Sequence, residues 1–339
     1  MKAIAAFAAL PADHPSALQD LVLADPVACG HDLLVEVHAV SVNPVDTKLR
    51  LGLPAEGQAD PRVLGYDASG IVRAVGPDVT LFQPGDRVWY AGAINRAGSN
   101  SELHLVDERI AGRMPASLGF AEAAALPLTA ITAWELLFDR LGLKQGGHAG
   151  ETLLVVGAAG GVGSILIQLA RQLTGITVIA TASRPETQAW VRQLGAQHVV
   201  DHRQPLDKAL LDAGLGEVDY AISLTHTDQH FTALVNVLKP QGKLALIDDP
   251  EPIDVRLLKR KSISLHWELM FTRSLFGTPD LQAQHDLLNA VSAMVDAGRI
   301  RTTLAQHFGP INAANLRRAH AFIESGAANG KVVLEGFGA

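Results

Sequence analysis

Apolar and polar positions change rhythm along the chain, and the changes divide it. From the first residue to about position 126 the apolar runs are short, partly alternating and often broken by glycine or proline, which predicts mostly strands, at 2–7, 32–41, 69–75, 87–90 and 101–106. Gly76-Pro77 and Pro84-Gly85-Asp86 mark turns. A helical stretch opens over 115–125 and leads through Leu128 and Ile131 into an apolar helix near Leu137. Between about 152 and 266 short apolar strands alternate with amphipathic helices. The strands are expected at 152–156, 177–182, 198–200, 220–223 and 243–247, the helices at 163–173, 185–194 and 229–238, with Gly175, Gly195 and Gly242 ending elements. That alternation predicts an α/β fold with a doubly wound parallel sheet. Amphipathic helices follow at 281–297 and 314–325. A last strand, 330–334, has no sheet of its own to join and is expected to return to the N-terminal region.

The densest signal lies where the strand 152–156 runs into Gly157, Gly160, Gly161 and Gly163 and then into a helix. So sharp a turn aims free helix N–H groups and a positive dipole end at one spot, which suits a pyrophosphate. Against the dinucleotide fingerprint G-x-G-x-x-G the matching residues are Ala158, Ala159, Gly160, Gly161, Val162 and Gly163, with Ala158 in place of the first glycine. About twenty residues on, where an acid would hold a ribose 2′-hydroxyl, the chain has Ser183-Arg184. A hydroxyl and a cation favour a 2′-phosphate and therefore NADP(H). His202, after the next strand, is a further candidate for the same phosphate.

At 339 residues, 48% of them hydrophobic, the chain is long for one core, and two domains are expected. A formal charge of −7 without a basic cluster speaks against nucleic acid and against anionic lipid. The single Cys29 excludes an intrachain disulfide and any cysteine-rich zinc lobe. The first residues are broken by Pro11 and Pro15, too soon for an export signal or a membrane span, so a cytoplasmic protein is expected.

The segments SVNPVDTKLRLG (41–52), LGYDASGIVRAVG (64–76), PGDRVW (84–89), VVGAAGGVGSILIQLA (155–170) and GKVVLE (330–335) resemble the medium-chain dehydrogenase/reductase superfamily. Among its branches they look most like the zinc-independent, zeta-crystallin-like quinone oxidoreductases, often labelled zinc-type alcohol dehydrogenase-like. The resemblance implies a GroES-like β-rich catalytic domain, residues 1–126 completed by 268–339, and a Rossmann cofactor domain, 127–267. It further implies NADPH in the cleft between them and a homodimer joined edge to edge through the strand near 244–247.

Zinc-dependent members carry a cysteine where this chain has Asn43-Pro44-Val45-Asp46, and Gly-His-Glu where it has Gly65-Tyr66-Asp67. Asp46 and Asp67 could supply oxygen, but no histidine or cysteine accompanies them, and no metal is expected. His226 and His230 stand four apart without the glutamate of a metalloprotease helix; a loop and helix-capping role with Asp228 is expected instead. By resemblance Asn43 faces nicotinamide and substrate, Thr132 sits against the nicotinamide, Tyr66 fills the emptied metal position, and Lys331 joins the cofactor-binding residues. The Asn43 amide or the Tyr66 hydroxyl would then hydrogen-bond the substrate oxygen, and the proton would come from Tyr66 or water. Trp267, Met270 and Phe271 either wall an apolar pocket suited to quinones, enals or enones, or pack a hinge. Two other functions stay open: a zinc-dependent alcohol dehydrogenase, and an NADPH-binding sensor or RNA-binding protein without turnover.

Overall fold

The computed structural model describes residues 1–338, which group into two compact units: residues 1–131 with 271–338, and residues 132–270.

In the second unit six strands form one parallel sheet, in spatial order His198–Val200, Thr177–Thr181, Thr152–Val156, Val218–Ser223, Leu238–Leu246 and Ser264–Trp267. The order reverses beside Thr152–Val156, so the first strand of the unit ends at the topological switch point, where open α/β sheets take their ligands. Leu153 to Val156 are buried, as a strand covered on both faces requires. The helices Gly161–Leu173, Pro185–Gln193, Leu206–Asp212 and Thr227–Val237 connect the strands. Leu154, Ile179, Ala221, Phe231, Leu234 and Leu244 belong to one core cluster.

Two expectations for this unit need correction. The strand 243–247 begins earlier, at Leu238, directly after the helix Thr227–Val237, and Gly242 lies inside it. Pro240 explains the early stop: it has no N–H to donate and pushes the residue before it out of helical geometry. The extended strand is then paired on both sides, so 244–247 is no free edge; the edge strand on that side is Ser264–Trp267.

The first unit holds a seven-stranded sheet. Its main path runs Leu304–His307, Lys331–Glu335, Asp32–Val42, Ala68–Val75, Arg87–Tyr90 and Ala111–Arg113, with Leu103–Asp107 paired to Asp32–Val42. A smaller sheet orders Gln19–Val22, Lys2–Ala6 and Arg62–Val63. The closing strand does return: Lys331–Glu335 lies antiparallel to Asp32–Val42, with Val332 opposite Val42 and Val333 opposite Ser41. The strands Gln19–Val22, Arg62–Val63 and Leu304–His307 and the helix Pro44–Leu51 were not foreseen. The helix has local causes nonetheless: Asn43 stands at its N-cap, Pro44 opens it, and Asp46 Oδ2 accepts the Asn43 backbone N–H at 2.7 Å. The run Phe120–Arg140 is long and apolar enough to cross a membrane, but it is mostly buried in the protein, as a core helix is.

Candidate active site

The strand Asp32–Val42, the helix start at Asn43, the turn Leu64–Asp67 and the closing strand converge on a buried polar cluster in the first unit. Asn43 is 2% exposed and Lys331 3%; Asp46 and Asp67 are buried as well. Asp67 Oδ2 accepts from Lys331 Nζ and from Asn43 Nδ2, each at 2.8 Å, and Asp67 Oδ1 accepts the Leu128 N–H at 2.7 Å. Lys331 also donates to Asn43 Oδ1. Asn43 Nδ2 lies 3.3 Å from the Tyr66 carbonyl oxygen, and Gly65 N–H reaches Asp46 Oδ1 at 3.0 Å. Each of the four carboxylate oxygens therefore already accepts an N–H, and both Asn43 amide hydrogens are engaged.

Burial pushes the Asp67 carboxyl up, while the Lys331 ammonium and the Asn43 and Leu128 donors pull it back. Asp46 is pushed up to about 7, by burial first, against the backbone N–H groups it accepts and against Lys331. The sequence offered Asp46 and Asp67 as spare oxygens; it did not show that an ammonium from the last strand would stand among them. Asn43-Pro44-Val45-Asp46 was the legible signal, as a helix cap.

The donor set does not fit zinc. Among the described residues no three His, Cys, Asp or Glu side chains are arranged to hold a metal ion. The two carboxylates here are saturated by N–H groups and share their site with a cation, which a second cation would have to displace.

Tyr66 is wholly buried; its ring meets the edge of Phe271 at 5.6 Å, and its hydroxyl accepts from Arg62 Nη2 at 3.4 Å. Burial, the largest influence, raises its pKa, Arg62 opposes that and Asp46 adds to it. The first unit thus brings Asn43, Tyr66, Phe271 and Lys331 together. Thr132, buried in the helix Pro127–Trp134, belongs to the second unit, as do the buried Met270 and Trp267, which is 52% exposed at the end of the edge strand.

In the second unit the glycine turn follows Thr152–Val156. Gly157, at φ +75°, makes the tight turn, so the conformational role missing at Ala158 is filled one residue earlier. A Cβ on Gly163 would lie 2.3 Å from the Ala158 carbonyl oxygen, so only glycine lets helix and strand approach this closely. A Cβ on Gly160 would instead enter open space, meeting only the Gly157 carbonyl oxygen at 3.5 Å. No side chain caps the helix Gly161–Leu173 at its Gly160 end. Open backbone and uncapped N–H groups fit a dinucleotide pyrophosphate.

Ser183 and Arg184 lie just past the neighbouring strand, Arg184 beside Glu186 at 3.0 Å. Arg203 donates to the Ser183 carbonyl at 3.0 Å and pairs with Asp201 at 2.6 Å. His202 Nδ1 is buried without a partner, and the His202 ring lies 6.2 Å from that of His230. Asp228 does not cap the helix Thr227–Val237: Asp248 accepts the Thr227 N–H at 2.9 Å, and His226 bonds Thr225. A carboxylate 21 residues along the chain supplies the cap in place of the local Asp228.

Two family models match this chain. Residues 30–134 match the alcohol dehydrogenase GroES-like domain, and 194–334 match the zinc-binding dehydrogenase family. A zinc-type alcohol dehydrogenase-like protein of Staphylococcus aureus (strain MSSA476) is 40% identical over 312 residues, 91% of this chain and 92% of its own length. The human mitochondrial NAD(P)H oxidoreductase RTN4IP1 is 29% identical, over 90% of this chain and 81% of its own. Among solved structures, a Rhizobium etli CFN 42 protein provisionally described as a zinc-dependent alcohol dehydrogenase is 57% identical with a TM-score of 0.96, covering 100% of this chain and 99% of its own. Mycobacterial Rv1454c, solved with NADPH, is 28% identical with a TM-score of 0.82, covering 99% and 100%. The quinone oxidoreductase of Coxiella burnetii is 27% identical with a TM-score of 0.79, covering 99% of each chain.

Proposed function

This chain belongs to the medium-chain dehydrogenase/reductase superfamily and is an oxidoreductase of that type; from that premise we propose that it is a zinc-independent reductase that uses NADPH to reduce quinones or α,β-unsaturated carbonyls. The observation that carries the zinc-free reading is the Lys331 ammonium between Asp67 and Asn43, where a metal would need those oxygens free. The NADPH-bound mycobacterial structure and the Coxiella quinone oxidoreductase support the cofactor and the acceptor class.

Bound NADPH supplies a hydride. The residues of the chain do the rest by placement. Gly160 and the uncapped start of Gly161–Leu173 take the pyrophosphate through backbone N–H groups. Ser183 and Arg184 take the 2′-phosphate, with His202 beside them, and Thr132 supports the nicotinamide. Tyr66, and not Asn43, donates to the substrate oxygen, because both Asn43 amide hydrogens are engaged. Asn43 instead ties the helix start at Pro44 to Asp67 and Lys331. Tyr66 is enclosed, so a substrate reaches its hydroxyl only after surrounding side chains part. Phe271 gives that site an apolar wall, which suits quinones and enones over sugars.

The proposed setting is the cytoplasm, and the proposed assembly a homodimer joined along the edge strand Ser264–Trp267; sedimentation as a monomer at micromolar concentration refutes the dimer. The function is tested by following NADPH and NADH oxidation on chelator-treated protein with 1,4-benzoquinone, 9,10-phenanthrenequinone, an enal and a simple ketone. Turnover of quinone or enal with NADPH preferred supports the reading. Activity lost on chelation and restored by zinc overturns it, and NADPH binding without any turnover replaces it with a sensor role.

A further inference from the structure

Arg62 lies on the short strand Arg62–Val63, opposite Ala6, and is half-buried. Among the described residues no carboxylate pairs with it. Its Nη2 donates to the Ile94 carbonyl oxygen and to the Tyr66 hydroxyl oxygen, the latter at 3.4 Å. The phenol thus receives a hydrogen bond from a cation, while its own O–H has no acceptor among the described residues. A half-buried charge with only neutral partners is costly unless an anion forms beside it. The charged groups acting on the Tyr66 hydroxyl are Arg62 and Asp46, and the Phe271 edge borders its ring.

We propose that Arg62 is the positioning residue that makes Tyr66 a proton donor: it holds the phenol oxygen from behind and neutralises the phenolate left when the proton departs. This rests on the reductase reading above. As the hydride of NADPH bonds to the substrate carbon, the π electron pair moves to the substrate oxygen. The Tyr66 O–H bond breaks and its proton bonds to that oxygen. The phenolate, paired with Arg62, regains a proton from water. Arginine suits the task because its planar fork can stay anchored on a fixed carbonyl while facing the phenol; a lysine ammonium has no such fork. Asp46, when ionised, opposes the phenolate, so Arg62 is the group that offsets burial.

The test places 3,5-difluorotyrosine, whose phenol ionises near neutral pH, at position 66 and reads its titration by 19F NMR without cofactor or substrate. Arg62→Gln should raise the midpoint by about one pH unit, and Arg62→Lys by less. In the chain with ordinary tyrosine, Arg62→Gln should lower kcat roughly tenfold with KM for NADPH unchanged. A midpoint unmoved in a folded Arg62→Gln chain overturns the proposal; Arg62→Met makes the same comparison should the glutamine variant not fold. A wild type that reduces no acceptor sinks the reductase reading alone, because the titration decides the Arg62–Tyr66 coupling without turnover.

Discussion

Lys331 Nζ lies 2.8 Å from Asp67 Oδ2, across 264 residues of chain, and both side chains are buried. The pair fastens the closing strand to the turn that carries Tyr66, and Asn43 is clamped between its two members. An ammonium in that position decides several properties of the protein.

Removing one partner leaves the other charge buried and unmatched. Lys331→Met is expected to destabilise the protein by about 3–5 kcal/mol. Combining it with Asp67→Asn should restore a large part, because the uncompensated carboxylate is then gone as well. Urea unfolding of the two variants measures the difference, and equal losses in both would refute the account.

Stability should fall as pH rises through the weakly acidic range. Asp46 titrates at about 7 in the folded chain against an ordinary 3.8, so between those values the folded chain keeps a proton that the unfolded chain releases. The stabilisation is complete below the lower value and is lost on approach to the upper one; Asp67, also raised by burial, acts in the same direction. Thermal midpoints measured from pH 4 to pH 8 should decline, and Asp46→Asn should flatten the decline. A midpoint that instead rises over this interval would contradict the assignment.

Tyr66→Phe removes the hydroxyl while keeping the ring against Phe271. It should lower kcat at least roughly tenfold with little change in fold or in NADPH affinity. An unchanged rate would leave Tyr66 as packing only.

Arg184→Ala should raise KM for NADPH about tenfold and leave that for NADH nearly unchanged, since only the first carries the 2′-phosphate. Initial rates with the two cofactors give the answer directly, and a parallel rise in both would assign Arg184 to helix capping instead.

Dialysis against a strong chelator should leave activity intact, and metal analysis should find no stoichiometric zinc. Zinc present in proportion to protein and required for turnover would show that a metal had displaced Lys331 from the cluster.

Repeating local patterns made much of this protein legible in its sequence. Apolar runs at strand length alternating with helical periodicity announced the parallel sheet, because burial on both faces leaves a continuous apolar mark on each strand. The turn at Gly157–Gly163 declared itself, since so sharp a reversal and so close a helix demand glycine at fixed positions. Even the Asn43-Pro44-Val45-Asp46 cap was written locally, although those residues drew attention first as the place of an absent ligand. What the tertiary structure alone decided are the meetings between distant residues. Lys331 stands among Asn43, Asp46 and Asp67 because the last strand pairs with Asp32–Val42; Asp248 and not Asp228 caps a helix; Ser264–Trp267 and not 244–247 forms the sheet edge. Periodicity records which face of an element is buried. It carries no record of which buried polar group will lie opposite, and that choice set the charge, and so the chemistry, of the site.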